Sequence, residues 1–437
     1  MPSNPNEIPT FRPSAAQYAQ LGFLKIAESA CRQHGDKVWI ADDDDQALLL
    51  AGARHIRFFL DNESSFPKEL ANSTSARRIL LGQSLITARE GEEWSLARKL
   101  TLATVNPKLA LLKKGTHDAA QWLVDRFHEP QTDSMQEICL QWALRCVAQG
   151  FVGTTASTAQ LDILMVHFRR IYLELIVAES SVDHAQLCQH PALATFREAL
   201  ESMVGPLIAA QADATQNVAM LQRFCQSLDV NAQPQERERA VSLLLGNLAA
   251  SVDNTGIALL WCLAHVSRHP HYQDRIREEH QRGKRDMASA IVKETLRITP
   301  VTAFVERCTQ DPLVIDGAVI APGTKVLFSP WLVHRNASYW PEPLSFRPER
   351  FLEGRKIARE HFIPFSVGKR NCVGMALALD QLTSAIETLC CHVRLSLAPS
   401  TAPAALTPTY ALNVMPRGAI CFTIESVDKA TAHECIA

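Results

Sequence analysis

Apolar residues recur at three- and four-residue spacing through most of residues 86–298, the period of helices that bury one face. Four runs carry the pattern: GEEWSLARKLTLATV (91–105), SMQEICLQWALRCVAQGF (134–151), AQLDILMVHFRRIYLELIVAE (159–179) and ERERAVSLLLGNLAASVDNTGIALLWCLAHVSRH (236–269). The last predicts a helix about 50 Å long at a rise of roughly 1.5 Å per residue. A helix that long, and that apolar in its middle, should cross the interior. Elsewhere the period changes. KVWIA (37–41) and QALLLAG (46–52) flank four aspartates and predict a hairpin, with DDDD as a solvated turn because the ligand spacing of a calcium loop is missing. After Pro300, LVIDGAVIAPGTKVLFSP (313–330) has short β-branched runs broken by Asp-Gly and Pro-Gly turns. A proline-rich meander, YWPEPLSFRPERF (339–351), is followed by a cysteine-containing loop, a helix from about 373, and the strand-like segments HVRLSLA (392–398) and AICFTI (419–424). The fold class expected is mainly α with a smaller β portion drawn from distant segments.

Composition narrows the function classes. The chain has 437 residues, 47% of them apolar and 21% charged, and its 44 Lys+Arg against 46 Asp+Glu leave a net charge of -2. Nothing global marks a nucleic-acid binder, so any role for positive charge must be local. The start, MPSNPNEIPTFRPSAAQYAQ, is polar and proline-broken and lacks the pattern of a signal peptide. No stretch reaches roughly 18 uninterrupted apolar residues, and the most apolar one, GIALLWCLAHV, is short and mid-chain. The expectation is therefore a cytoplasmic protein with no membrane anchor. The twelve cysteines are scattered without a CxxC pair, which signals neither a disulfide framework nor a zinc site. Most of them read as small buried hydrophobes.

One cysteine differs. In IPFSVGKRNCVGMALALDQL (363–382), Cys372 stands between two glycines, after basic residues and before an apolar helical run. A thiolate ligand needs compensation for its charge, and the free backbone N–H groups at a helix start supply it. Gly374 keeps the backbone bare for a flat group, Gly368 lets the loop turn, and Arg370 offers a fork suited to a carboxylate. The plain alternative is a packed thiol at a loop–helix junction. Against it stands the spacing F-x-x-G-x-[KR]-x-C-x-G, here Phe365, Gly368, Arg370, Cys372 and Gly374.

This pattern resembles the haem-binding loop of the cytochrome P450 superfamily, whose cysteine is the thiolate ligand of haem iron. Other marks follow in family order. KETLR supplies Glu294 and Arg297 at E-x-x-R spacing, and FRPERF supplies Arg350 where the family has the arginine that joins them. The resemblance implies that this trio locks the meander behind the haem. It likewise implies that Trp94 and Arg98 in WSLAR, with Arg307 in FVERC, serve the haem propionates alongside Arg370. It covers nearly the whole chain and implies one P450 domain over 1–437, β-rich at about 36–60, 300–335 and 390–425, with the long helix over a haem b.

In that long helix Gly246, Ala249, Ala250 and Asp253 form a stripe of little bulk, which the resemblance assigns to the distal face of the haem, oxygen and substrate. Asp253 matches the family acid in ASVDNT, but Asn254 stands where the family has its proton-delivering threonine, with Thr255 at the next position. Asn254 can hold a water but cannot relay a proton as a hydroxyl does. Either it orders a proton-carrying water, or a substrate hydroxyl takes the task, or the enzyme runs uncoupled. The Arg-Pro pair of peroxide-using relatives is absent.

The implied reaction is a bacterial-type monooxygenation of a lipophilic small molecule, such as a terpenoid or other product of secondary metabolism. Desaturation, oxidative coupling, rearrangement or non-enzymatic ligand binding at the same site are the alternatives. Because the chain stops at Ala437, electrons from NAD(P)H are expected through a separate ferredoxin or flavodoxin with its reductase, the enzyme being a monomer. Arg98, Lys99, Lys113, Lys114 and Lys369 are the candidate basic patch for that carrier. Substrate-lining segments are expected at 66–90, 165–176 and 299–305.

Overall fold

The computed structural model describes residues 7–42, 45–68, 81–129, 134–153, 219–228, 233–352, 354 and 356–427. Its strands are β1 (Thr10–Phe11), β2 (Lys37–Ala41), β3 (Gln46–Leu50), β4 (Val305–Cys308), β5 (Leu313–Ile315), β6 (Ala318–Ile320), β7 (Lys325–Phe328), β8 (Val393–Leu397), β9 (Pro408–Tyr410), β10 (Val414–Pro416) and β11 (Phe422–Ser426). The longer helices are α1 (Ala15–His34), α2 (Ala53–Asp61), α3 (Glu92–Leu102), α4 (Ala110–His128), α5 (Met135–Val152), α6 (Met220–Ser227), α7 (Pro234–Val266), α8 (Pro270–Gln281), α9 (Asp286–Ile298) and α10 (Met375–His392). Mainly helical with a smaller β portion, the architecture is the expected one. The 159–179 run and the 165–176 segment lie outside the described residues, as does part of 66–90.

The chain divides into two units, the first being residues 1–71, 289–372 and 398–420. Its sheet has the order β1-β2-β3-β7-β4, with β2/β3 and β4/β7 antiparallel and β1/β2 and β3/β7 parallel. The predicted hairpin is β2/β3, and the Asp-Gly turn joins β5 to β6. Because side chains alternate along a strand, β3 and β7 send Leu48, Leu50, Val326 and Phe328 into one core with Ile56, Phe59 and Phe66. Phe59 and Phe328 meet there with ring centroids 4.8 Å apart. Val367 of the cysteine loop is part of the same core, so the loop grows from a packed base.

The second unit comprises residues 72–288, 373–397 and 421–437. Helix α7 packs on α5 and α10, and α4 packs on α5 and α10. A capping box starts α5: Ser134 Oγ accepts from the Glu137 N–H at 3.2 Å, and Glu137 Oε2 accepts from the Ser134 N–H at 2.9 Å. β8 and β11 form an antiparallel pair beside these helices. Gly246 is used for packing, since a Cβ there would lie 2.3 Å from Ser84 Cβ. That part of the small-residue stripe is a close contact within the protein.

Candidate functional site

In the first unit the cysteine loop closes on itself. The Cys372 N–H donates to Phe365 O at 2.9 Å, Asn371 N–H to Gly368 O at 3.2 Å, and Ser366 N–H to Ile363 O at 3.1 Å. Two outside groups hold it. Buried His334 accepts the Ile363 N–H on Nε2 at 2.8 Å, and Glu63 Oε1 accepts the Lys369 N–H at 2.6 Å. Phe365 and Arg370 are half-buried, and Cys372 is exposed.

That exposure separates Cys372 from most other described cysteines. Cys139, Cys146, Cys262, Cys390 and Cys391 are buried, and desolvation pushes the Cys390 thiol up to about 12. Those five behave as core hydrophobes; only Cys421 shares the exposure of Cys372 among the described residues. No group of three or more His, Cys, Asp or Glu among them could hold a metal ion. Among the described residues Cys372 thus belongs to no such group, which suits a metal that brings most of its own ligands, as a porphyrin iron does.

The same unit assembles the expected trio. Glu294 and Arg297 are wholly buried one turn apart on α9, with Arg297 Nε donating to Glu294 Oε2 at 2.7 Å and Nη2 to Oε1 at 2.8 Å. Arg350 Nε reaches Glu294 Oε1 at 3.3 Å. Arg297 also binds the carbonyls of His334 (2.8 Å), Pro343 (2.7 Å) and Ser345 (3.3 Å). One ion cluster thus fixes both ends of the meander. Arg307, on β4, is buried, donates from Nη1 to Glu306 O at 2.7 Å and lies 5.5 Å from the Phe59 ring centre.

In the second unit, Trp94 and Arg98 meet on α3, the guanidinium 5.6 Å from the indole centre. Gly374 is the N-cap residue of α10. Helix α7 is buried from Ser242 to Val266 except at Ala250, Ser251, Asp253 and Asn254, where one face opens; Thr255 is turned inward. Asn254 Nδ2 donates to Ala250 O at 2.9 Å. Lys114 of the expected basic patch pairs with Asp118 on its own helix.

An exposed thiol on a twice-anchored loop, outside any metal-holding group among the described residues, fits a haem, as does a buried helix opened at one turn. The chain also matches the family model for cytochrome P450 over residues 2–422. It belongs to the cytochrome P450 family. Haem b is the cofactor of this family, with electrons drawn from NAD(P)H through a partner protein. The chain is similar to human Cytochrome P450 4F12, 36% identical over 160 residues, which cover 32% of this chain and 30% of that protein. It is also similar to mouse Leukotriene-B4 omega-hydroxylase 3, 36% identical over 164 residues, covering 33% and 31%. Cattle Cytochrome P450 2U1 is 35% identical over 156 residues, covering 32% and 29%. The matches span less than a third of the length of these relatives.

These relatives are mammalian and give the bacterial-type qualifier no support. The expected cytoplasmic location is corrected, since the similarity is to mammalian P450s and the chain holds a helix apolar enough to cross a membrane. Helix α7 contains an 18-residue window of mean hydropathy 1.3 with at most two charges, long and apolar enough to cross a membrane, although 78% of that window is buried in the protein. The run is nonetheless not continuously apolar, because Ser251, Asp253, Asn254 and Thr255 break it. Two residues that hold the loop, Glu63 and His334, carried no signal. Each is distant in sequence and ordinary in type, and only the fold brings it to the loop.

Proposed function

We propose that this P450 is a haem-thiolate monooxygenase that inserts one atom of dioxygen into a C–H bond of a lipophilic small molecule. The supporting observation is Cys372 itself: exposed, on a closed loop anchored by Glu63 and His334, and outside any metal-holding group among the described residues. The bound haem supplies dioxygen activation, favoured by the electron-rich thiolate. We assign its propionates to Arg98, Trp94, Arg307 and Arg370, and its close backbone approach to Phe365, Ala250 and Gly374, within one catalytic domain. Electrons come from a separate carrier protein, ferredoxin or flavodoxin with its reductase. The name of the mouse relative favours a long-chain lipid substrate over a terpenoid.

Proton handling is assigned to Asp253 and Asn254 at the opened turn of α7; Thr255, which the family pattern groups with them, is turned inward. With one N–H of its amide given to Ala250 O, Asn254 has Oδ1 to hold a water from which protons pass. Incubation with isotopically heavy dioxygen, reduced carrier and a fatty acid or terpenoid tests the activity. Incorporation of one heavy atom into a hydroxylated product is expected; label derived from water would contradict it. Asn254→Thr should lower peroxide released per NAD(P)H consumed by roughly two-fold or more, since a hydroxyl relays protons directly. An unchanged ratio would remove Asn254 from proton delivery.

A further inference from the structure

We infer that Glu63 is a positioning residue for the cysteine loop, fixing the loop tip so that Cys372 presents its sulfur in one orientation. This rests on the ligand role proposed for Cys372.

Glu63 projects from a fixed base. It opens the 3-10 turn Glu63–Ser65 directly after α2. Ser65 O accepts the Gln310 N–H at 2.9 Å, and the next residue, Phe66, is buried with ring centroids 5.6 Å from Phe59 and 5.7 Å from Phe328. From this base the carboxylate reaches the loop tip twice. Oε1 takes the Lys369 N–H at 2.6 Å, a short charge-assisted bond. It also lies over Gly368, where an added Cβ would come within 2.3 Å of Oε1 and 2.7 Å of Cδ. Gly368 has φ +78°, a conformation that favours glycine, and its bare Cα leaves room for the carboxylate where it sits. The restraint then passes towards the sulfur: Gly368 O accepts the Asn371 N–H, and the following N–H, of Cys372, binds Phe365 O. With His334 at the loop's start, Glu63 holds the far end.

A carboxylate that merely decorated the surface would leave the loop unchanged when removed. The test compares wild type, Glu63→Gln and Glu63→Ala as holoproteins. Hydrogen exchange at Lys369 and Asn371 should be roughly ten-fold faster in Glu63→Ala, the loss of one charge-assisted bond at a partly exposed site. Exchange in α7 and α4 should not change. After reduction and carbon monoxide addition, the far-red-shifted Soret band of thiolate-ligated haem should decay at least two-fold faster in Glu63→Ala. Glu63→Gln, which keeps an oxygen acceptor, should restore most of that lifetime. If Glu63→Ala does not fold, exchange at Lys369 in Glu63→Gln must still exceed wild type, because the charge is gone.

Wild-type exchange at Lys369 together with a wild-type band lifetime in Glu63→Ala would overturn the inference. So would acceleration spread evenly over both units, which marks general destabilisation. A wild-type protein without the far-red band would overturn the role of Cys372 instead, with exchange at Lys369 still reporting whether Glu63 holds the loop.

Discussion

Replacing Glu294 by alanine removes the centre of the cluster that fixes the meander. Glu294 is 0% exposed and accepts hydrogen bonds from Arg297 at 2.7 and 2.8 Å, from the Arg347 N–H at 2.9 Å and from Arg350 at 3.3 Å. Without it the Arg297 guanidinium, also 0% exposed, keeps three carbonyls and the Trp340 ring at 5.2 Å but loses its counter-charge. Breaking a buried ion pair from one side costs about 3–5 kcal/mol, because the remaining charge stays desolvated. The orphaned Arg347 amide belongs to the same loss, so about 4 kcal/mol is the expected total. Against a typical stability of 5–15 kcal/mol this is a large fraction. In urea, a slope of about 2–3 kcal/mol per molar converts it to a midpoint lower by roughly 1.3–2 M. Far-ultraviolet dichroism of the holoprotein through a urea series measures it, and Glu294→Gln, which retains one carbonyl acceptor, should fall between. A midpoint within about 0.3 M of wild type would show that the cluster does not hold the meander.

His334 should make the protein acid-sensitive. Burial first, then the nearby charges of Arg297 and Arg335, lower its pKa from 6.5 to about 3. The folded state keeps the ring neutral, so its contribution is intact above pH 6.5 and is lost as pH falls towards 3, where the unfolded chain alone takes up the proton. At pH 5 the loss is about 2 kcal/mol, from 1.36 kcal/mol per pH unit. His334→Gln keeps an acceptor for the Ile363 N–H and should flatten the stability profile between pH 6.5 and 5; an unchanged slope would assign the acid sensitivity elsewhere. Gly115→Ala places a Cβ 2.7 Å from the Cys146 carbonyl where α4 crosses α5, and should cost about 1–2 kcal/mol in thermal or urea unfolding despite alanine's better helix propensity. Equal stability would mean that the crossing yields.

The local periods in the sequence were enough to place α3, α5, α7 and α10 and the hairpins β2/β3 and β5/β6. The trio was legible through the family resemblance, since the spacing of Glu294 and Arg297 by itself reads as an ordinary surface ion pair and only the family pattern joins Arg350 to them. Helix α1 was not, since Gly22 interrupts it with φ +70° and the prolines before it suggest an irregular start. Nor was the five-stranded sheet, whose β3/β7 pairing joins Leu48 to Val326 across the chain. The loop was legible as chemistry but not as geometry: its spacing named Cys372, while the Glu63 and His334 contacts depend on non-local packing. The ion pair of Lys114 with Asp118, four residues on along its helix, is a local contact of the kind the sequence does allow.

The central claim is that Cys372 is the thiolate ligand of a haem. The most direct measurement is the carbon monoxide difference spectrum of the dithionite-reduced protein, recorded beside Cys372→Ala. A far-red-shifted Soret band in the wild type, lost in the variant, is the predicted result. A band at the position of histidine-ligated haem, or one that survives the substitution, would contradict the account.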